Sequence, residues 1–326
     1  MRRTYKLLAL IAIPALVAVS ACSSSGDPSA SSLPTASNAQ GASSLGADAD
    51  VAVSGQFNQA PKVSIPATKA GANLAVRTLI VGKGPAVTSS DVAVGNYVTY
   101  LWDGATNKEV GTTYGGVPQE FSASQELPGL VTAMNGRTAG SRVLAIVPPA
   151  DAFGSTGNPE MGVSGSDTLV FVIDILSVFK GTAAVSGSQT QAGAGLPTVS
   201  AGSSPTITIP SNSPPSTLTA KTLIKGTGQV VKSGNFLVVQ YTGVNWRTGK
   251  VFDSSWSRKS PLGVQIGAKP AQVITGWNAL EGQTVGSRVL LMVPPADGYG
   301  KAGQSKVGIK GTDTLVFVVD ILAAYS

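Results

Sequence analysis

The chain has 326 residues, 42% of them hydrophobic but only 6% aromatic, with 39 glycines and a formal charge of +6. That length points to two domains, and a glycine-rich, aromatic-poor composition suits short strands and turns better than long helices. Histidine is absent and cysteine occurs once, which excludes Ser-His-Asp and Cys-His catalysis, histidine-held metals, thiolate clusters and intrachain disulfides.

Residues 1–22 read as a secretion signal. Arg2, Arg3 and Lys6 form a basic start, and 7–19 is apolar but too short to span a membrane, with Pro14 inside it. These three cations account for half of the formal charge. What remains is too mild and scattered for nucleic acid. The segment ends in Val19-Ser20-Ala21-Cys22, which resembles the lipobox of bacterial lipoproteins. The resemblance implies a diacylated Cys22 as the first mature residue and a protein held on the outer face of the cell membrane. Residues 23–56 are Ser, Ala, Gly, Asp and Pro with almost no large apolar side chain, and are expected to be a disordered tether. A second stretch of this kind, 181–204, is expected to be a linker.

The regions between repeat each other. Ile65-Pro66 returns as Ile209-Pro210, Ser141-Arg142-Val143 as Ser287-Arg288-Val289, and Pro148-Pro149-Ala150-Asp151 as Pro294-Pro295-Ala296-Asp297. Asp167-Thr168-Leu169-Val170-Phe171 returns as Asp313-Thr314-Leu315-Val316-Phe317. Two long copies in one order mean a duplicated domain, at 57–180 and 205–326, and not a solenoid.

In the second copy, Leu237, Val239 and Tyr241 alternate with Phe236, Val238 and Gln240, which predicts a strand. Residues 288–293 form another, stopped by Pro294-Pro295. In the last strand Leu315, Phe317, Val319 and Ile321 share a face. The one helix candidate is short, at 276–281. The fold class is α+β: an antiparallel sheet wrapped around one short α-helix, twice. No phosphate loop is present, because Gly249-Lys250 is followed by Val251 and not by Ser or Thr.

The second copy reads Tyr241-Thr242-Gly243, Val251-Phe252-Asp253-Ser254-Ser255, Arg258, Val273-Ile274-Thr275-Gly276-Trp277, Gly298-Tyr299-Gly300 and Thr314-Leu315-Val316-Phe317. Singly, each residue has a plain structural reading: a core tryptophan, a turn aspartate, half-buried sheet tyrosines. In this order and spacing, over 218–322, they resemble the FKBP family of peptidyl-prolyl cis-trans isomerases, the immunophilins that bind tacrolimus and rapamycin. The resemblance implies a catalytic set of Tyr241, Phe252, Asp253, Trp277, Tyr299 and Phe317. Around it the resemblance implies substrate-binding Arg258, Leu262, Val273, Ile274 and Ile309. Trp277 is expected as the floor under the bound proline, and the Tyr299 hydroxyl as donor to a substrate carbonyl. Leu262 stands where the family usually has an aromatic, two extra residues precede Val273, and the 300–309 loop has its own sequence.

The implied activity is non-covalent isomerisation of X-Pro bonds by desolvation and twisting of the amide, without cofactor or metal. The implied partners are proline-containing unfolded or secreted proteins, with macrolides as ligands. An alternative is a non-enzymatic lipoprotein that uses both folds as docking modules. The first copy departs in the pocket. Aligned from Gly95-Asn96, Trp102 replaces Tyr241; further on, Val110 replaces Phe252, Gly111 replaces Asp253, Leu130 replaces Trp277 and Phe153 replaces Tyr299. It is expected to be a degenerate copy with the fold kept.

Overall fold

The structure, a computed structural model, describes residues 50–104 and 107–326. The expected signal at 1–22, Cys22 and the tether up to residue 49 lie outside the described residues. Among the described residues, no helix is long and apolar enough to cross a membrane.

In the first domain β1 (Ala52–Ser54) and β2 (Lys62–Ser64) form a small hairpin. They are followed by β3 (Ala75–Ile80), β4 (Asp91–Trp102), β5 (Asn107–Thr112), β6 (Gln119–Ser122), α1 (Pro128–Met134), β7 (Arg142–Val147) and β8 (Thr168–Lys180). The second domain repeats the plan with β9 (Thr198–Val199), β10 (Ile207–Thr208), β11 (Thr219–Ile224), β12 (Phe236–Asn245), β13 (Val251–Ser254), α2 (Ser255–Arg258), β14 (Leu262–Gln265), β15 (Arg288–Val293) and β16 (Leu315–Tyr325). The sheets run β3-β7-β8-β4-β5 and β11-β15-β16-β12-β13, all antiparallel. β6 and β14 pair with the first halves of β4 and β12.

The period of two sets both faces of each sheet. Leu237, Val239 and Tyr241 on β12 join Leu315, Phe317, Val319 and Ile321 on β16 in one core. The short helix lies on that face. α1 is α-helical with Pro128 in its first turn, whereas its counterpart, Thr275–Leu280, is a 3₁₀ helix. The expected α-helix at 276–281 is therefore corrected to the tighter turn. Its Trp277 and Glu281 N–H groups bond to carbonyls three residues back, at Ile274 and Asn278. Gly276 lets it sit close to the sheet, since a Cβ there would lie 2.5 Å from Val293.

The other face of each sheet is also apolar, and the chain before each domain covers it. Val51, with Val53, Val63 and Ile65, packs on Val98, Trp102, Leu144, Ile146, Val170 and Val172. Val199, with Ala192, Leu196, Ile207 and Ile209, packs on Trp246, Leu290, Met292, Val316 and Val318. Two expectations are corrected by this. Residues 51–56 belong to the first domain and not to a disordered tether, and 181–204 is laid across the second sheet instead of hanging free.

The physical reason is polar as well as apolar. Arg142 and Asp174 are fully buried and bonded at 2.7 Å, and so are Arg288 and Asp320. Buried charges hold only when their remaining donors and acceptors are met. The carbonyls of Gly55, Gln56 and Gln59 take the spare Arg142 protons, and Asn58 N–H donates to Asp174. In the second domain the Gln189 side chain accepts from Arg288 and Val185 N–H donates to Asp320. Trp102 and Trp246 add the same device, each donating its indole N–H to a carbonyl of the covering segment, at Thr68 and Asn212.

Candidate active site

The second domain gathers the expected residues at the open end of its inner core. Tyr241 comes from β12, Phe252 and Asp253 from β13, Arg258 from the end of α2, Trp277 from the 3₁₀ helix and Phe317 from β16. Trp277 is 2% exposed. Its ring meets Tyr241 edge-on at 5.2 Å and Phe317 at 5.6 Å, and Phe252 meets Phe317 edge-on at 5.6 Å. Edge-to-face pairs of this kind are the favoured aromatic arrangement. The buried Ile309 and the half-buried Leu262, Val273 and Ile274 pack against the same cluster.

One side of this aromatic box is polar. The Tyr241 hydroxyl donates to Asp253 Oδ2, Arg258 Nη1 donates to Asp253 Oδ1, and Arg258 Nη2 donates to the Tyr241 hydroxyl oxygen at 3.2 Å. The three side chains thus close a ring. The Arg258 guanidinium also lies over the Tyr241 ring, 5.7 Å from its centre. Burial, reinforced by the Asp253 charge, pushes the Tyr241 phenol well above its usual range. Tyr299 stands at the exposed rim, and burial followed by the Asp253 charge pushes its phenol up too. Both hydroxyls stay protonated at neutral pH and can donate.

Two supports were not anticipated from the sequence. Ser255 is fully buried; its Oγ accepts from Tyr241 N–H at 2.8 Å and donates to Gln240 Oε1, which anchors the tyrosine's backbone. Ser254 is the cap that starts α2, accepting from Ser257 N–H. A turn or cap was foreseeable from the paired serines, but not the tie to β12. Gly243 is the second support. A Cβ there would lie 2.6 Å from the Phe252 ring and 3.0 Å from the Phe317 ring, so both rings depend on its bare backbone.

The first domain keeps the scaffold and differs in several of these side chains. Register corrects one assignment: Tyr97, opposite Ile173, is the counterpart of Tyr241, opposite Val319. Trp102, opposite Thr168, corresponds instead to Trp246, on the covered face. The linear alignment was displaced by its anchor: Gly95-Asn96 lies inside β4, at the register of Val239-Gln240, whereas Gly234-Asn235 precedes β12. Tyr97 N–H donates to Thr113 Oγ1, and Thr113 to Asn96, repeating the Ser255 arrangement. Val110, Leu130, Phe153 and Phe171 sit in or against the core as expected. Gly111, opposite Thr99, supplies no carboxylate where Asp253 stands opposite Gly243.

The family model of the FKBP-type peptidyl-prolyl cis-trans isomerases matches residues 84–176 and again 228–322. An FK506-binding protein of Streptomyces anulatus is 39% identical over 120 residues, 36% of this chain and 95% of the relative. A probable FK506-binding protein of Corynebacterium glutamicum is 34% identical over 121 residues, 37% of this chain and 98% of the relative. The crystal structure of FkpA from Escherichia coli aligns with 35% identity over 33% of this chain and 47% of that one, at a TM-score of 0.30. Matched twice, over more than half of its length, the chain belongs to the FKBP-type peptidyl-prolyl cis-trans isomerase family.

Proposed function

We propose that the second domain isomerises X-Pro bonds of proline-containing proteins outside the cytoplasm, and that the first does not. The observation that carries this reading is the closed Tyr241–Asp253–Arg258 ring beside an aromatic box floored by Trp277. Only X-Pro bonds populate cis appreciably and interconvert slowly.

Amide resonance sets a rotation barrier of roughly 18–20 kcal/mol, and it places negative charge on oxygen and positive charge on nitrogen. The twisted amide loses that charge separation, and water favours the planar form. A pocket of Phe252, Val273, Ile274, Trp277 and Phe317 removes the bias and binds the twisted bond relatively better. Tyr299 at the rim has a hydroxyl to donate to a substrate carbonyl, and the polar ring fixes the wall. No group needs to gain or lose a proton. The same cavity would accept a macrolide of the kind named for the FK506-binding relatives.

The Cys22 motif supports a lipid anchor on the outer face of the membrane, with unfolded or secreted proteins as substrates. Fatty-acid labelling that persists in Cys22→Ala would sink the anchor. For the activity, residues 50–326 are assayed for cis-to-trans conversion of a short proline peptide. Conversion that survives the combined Trp277→Leu and Tyr299→Phe changes would reject the second-domain pocket. Absence of conversion in the unaltered chain would instead favour the docking-module reading, with the first domain as its precedent.

A further inference from the structure

The two domains meet at the pocket's edge. Val94, Val117 and Phe179 of the first pack on Phe236, Val238, Leu322, Ala323 and Tyr325 of the second. Within this contact Glu120 of β6 reaches across and accepts the backbone N–H of Gly263. Gly263 lies on the edge strand β14, beside Leu262 of the pocket wall. Its lack of a side chain is what admits Glu120: a Cβ there would lie 2.5 Å from the carboxylate oxygen and 2.5 Å from the Phe236 ring.

A second brace comes from the connection leaving β8. Gly181 lies against the backbone of Lys259, the residue that follows Arg258, with no room for a side chain between them. The Gly181 carbonyl accepts from Gln240 Nε2 at 2.8 Å. Gln240 accepts from Ser255, which accepts from Tyr241 N–H. The Trp256 indole donates to Ala183 in the same connection, at 3.2 Å. The segment 258–263, which holds Arg258 and Leu262, is therefore gripped near both ends by groups outside the second domain's own sheet.

We infer that the first domain is a positioning element for the second domain's pocket, with Glu120 holding β14 and the wall residue Leu262 in place through the Gly263 amide. This rests on the pocket assignment proposed above. An edge strand otherwise paired only on its β12 side is free to shift, and a displaced wall residue that contacts the bound peptide equally in its planar and twisted forms raises KM and leaves kcat unchanged. A first copy that lacks several of the pocket side chains but makes this contact fits a supporting role.

The test uses residues 50–326 carrying Glu120→Ala or Glu120→Gln, compared with the unaltered chain at mildly acidic pH. Glu120→Ala should raise KM about two- to tenfold, the size of one lost hydrogen bond, with kcat unchanged. Glu120→Gln keeps an acceptor oxygen and should restore KM. Hydrogen exchange supplies a readout independent of activity: the Gly263 amide should exchange slowly in the unaltered and Gln chains and quickly in the Ala chain. Gly263→Ala approaches the same contact from the other side and, because its methyl also meets Phe236, should raise KM at least as much as Glu120→Ala. Unchanged KM and Gly263 exchange in Glu120→Ala would overturn the inference, and so would parallel losses of kcat and folding in both Glu120 variants. A wholly inactive unaltered chain would instead overturn the isomerase reading and leave the amide measurement to judge the contact.

Discussion

Asp253→Gly copies what the first domain carries at Gly111, and its cost can be worked from the site. Asp253 accepts from the Tyr241 hydroxyl and from Arg258. The Arg258 and Asp253 side chains are 42% and 38% exposed, so solvent screens the ion pair to about 0.2–1 kcal/mol of stability. The larger effect falls on orientation. Tyr241 keeps only Arg258 as a partner, and one lost neutral hydrogen bond is worth about 0.5–1.5 kcal/mol. At about 1.4 kcal/mol per factor of ten, kcat/KM should fall about two- to tenfold. Asp253→Asn, which retains an acceptor for Tyr241, should fall less. The assay is cis-to-trans conversion of a proline peptide, with circular dichroism to establish folding. A loss of about a hundredfold or more, with a rate that titrates, would mean that Asp253 acts as a general base and that desolvation is the wrong mechanism.

Gly243→Ala should reduce kcat/KM and cost about 1–3 kcal/mol in urea unfolding, because the new methyl runs into Phe252 and Phe317. A chain beginning at residue 60 should unfold at lower urea than one beginning at residue 50, by at least about 2 kcal/mol. It lacks Val51 and the Gly55, Gln56 and Gln59 carbonyls that accept from buried Arg142. A pH dependence should arise at the domain contact. Burial, opposed by the Gly263 amide and the Arg258 charge, pushes Glu120 up to about 7; burial and then the Glu120 charge push Glu126 up to about 7, against a side-chain hydrogen bond from Gln119. Since an undocked glutamate ionises near 4.5, the Glu120 contact is at full strength below that value and weakens as pH rises through about 7, with Glu126 acting on it only through the charge it places beside Glu120. KM should therefore rise on the alkaline side of neutrality and stay level in Glu120→Gln/Glu126→Gln, while kcat stays flat because the Tyr241 and Tyr299 phenols remain protonated.

Local pattern carried most of the inner core. The alternation along β12 and β16 has period two, and the residues that share a face in sequence share the core in space. The FKBP-like order of Tyr241, Phe252, Asp253, Trp277 and Phe317 placed the aromatic box without any coordinates, since each residue sits at a fixed register on a strand or short helix. The alignment of Trp102 with Tyr241 failed because it was anchored on two Gly-Asn pairs, one inside β4 and one before β12, that are not structural counterparts. Only the pairing of Tyr97 with Ile173 reveals its place.

Tertiary structure alone decided the role of the small-residue segments and of the domain contact. Residues 51–56 and 181–204 are poor in large apolar groups, and composition registers exactly that poverty. Beside a few apolar anchors such as Val51 and Val199 and the Gln189 side chain on Arg288, what fixes them is backbone: carbonyls and N–H groups that complete the Arg142–Asp174 and Arg288–Asp320 pairs, contributions that no side-chain pattern encodes. Glu120 likewise reads as an ordinary surface carboxylate. Its partner is a backbone amide 143 residues away, at a glycine whose importance is the absence of a side chain. Contacts of that range form only when two finished domains meet, and the chain's local preferences say nothing about which edge will lie opposite.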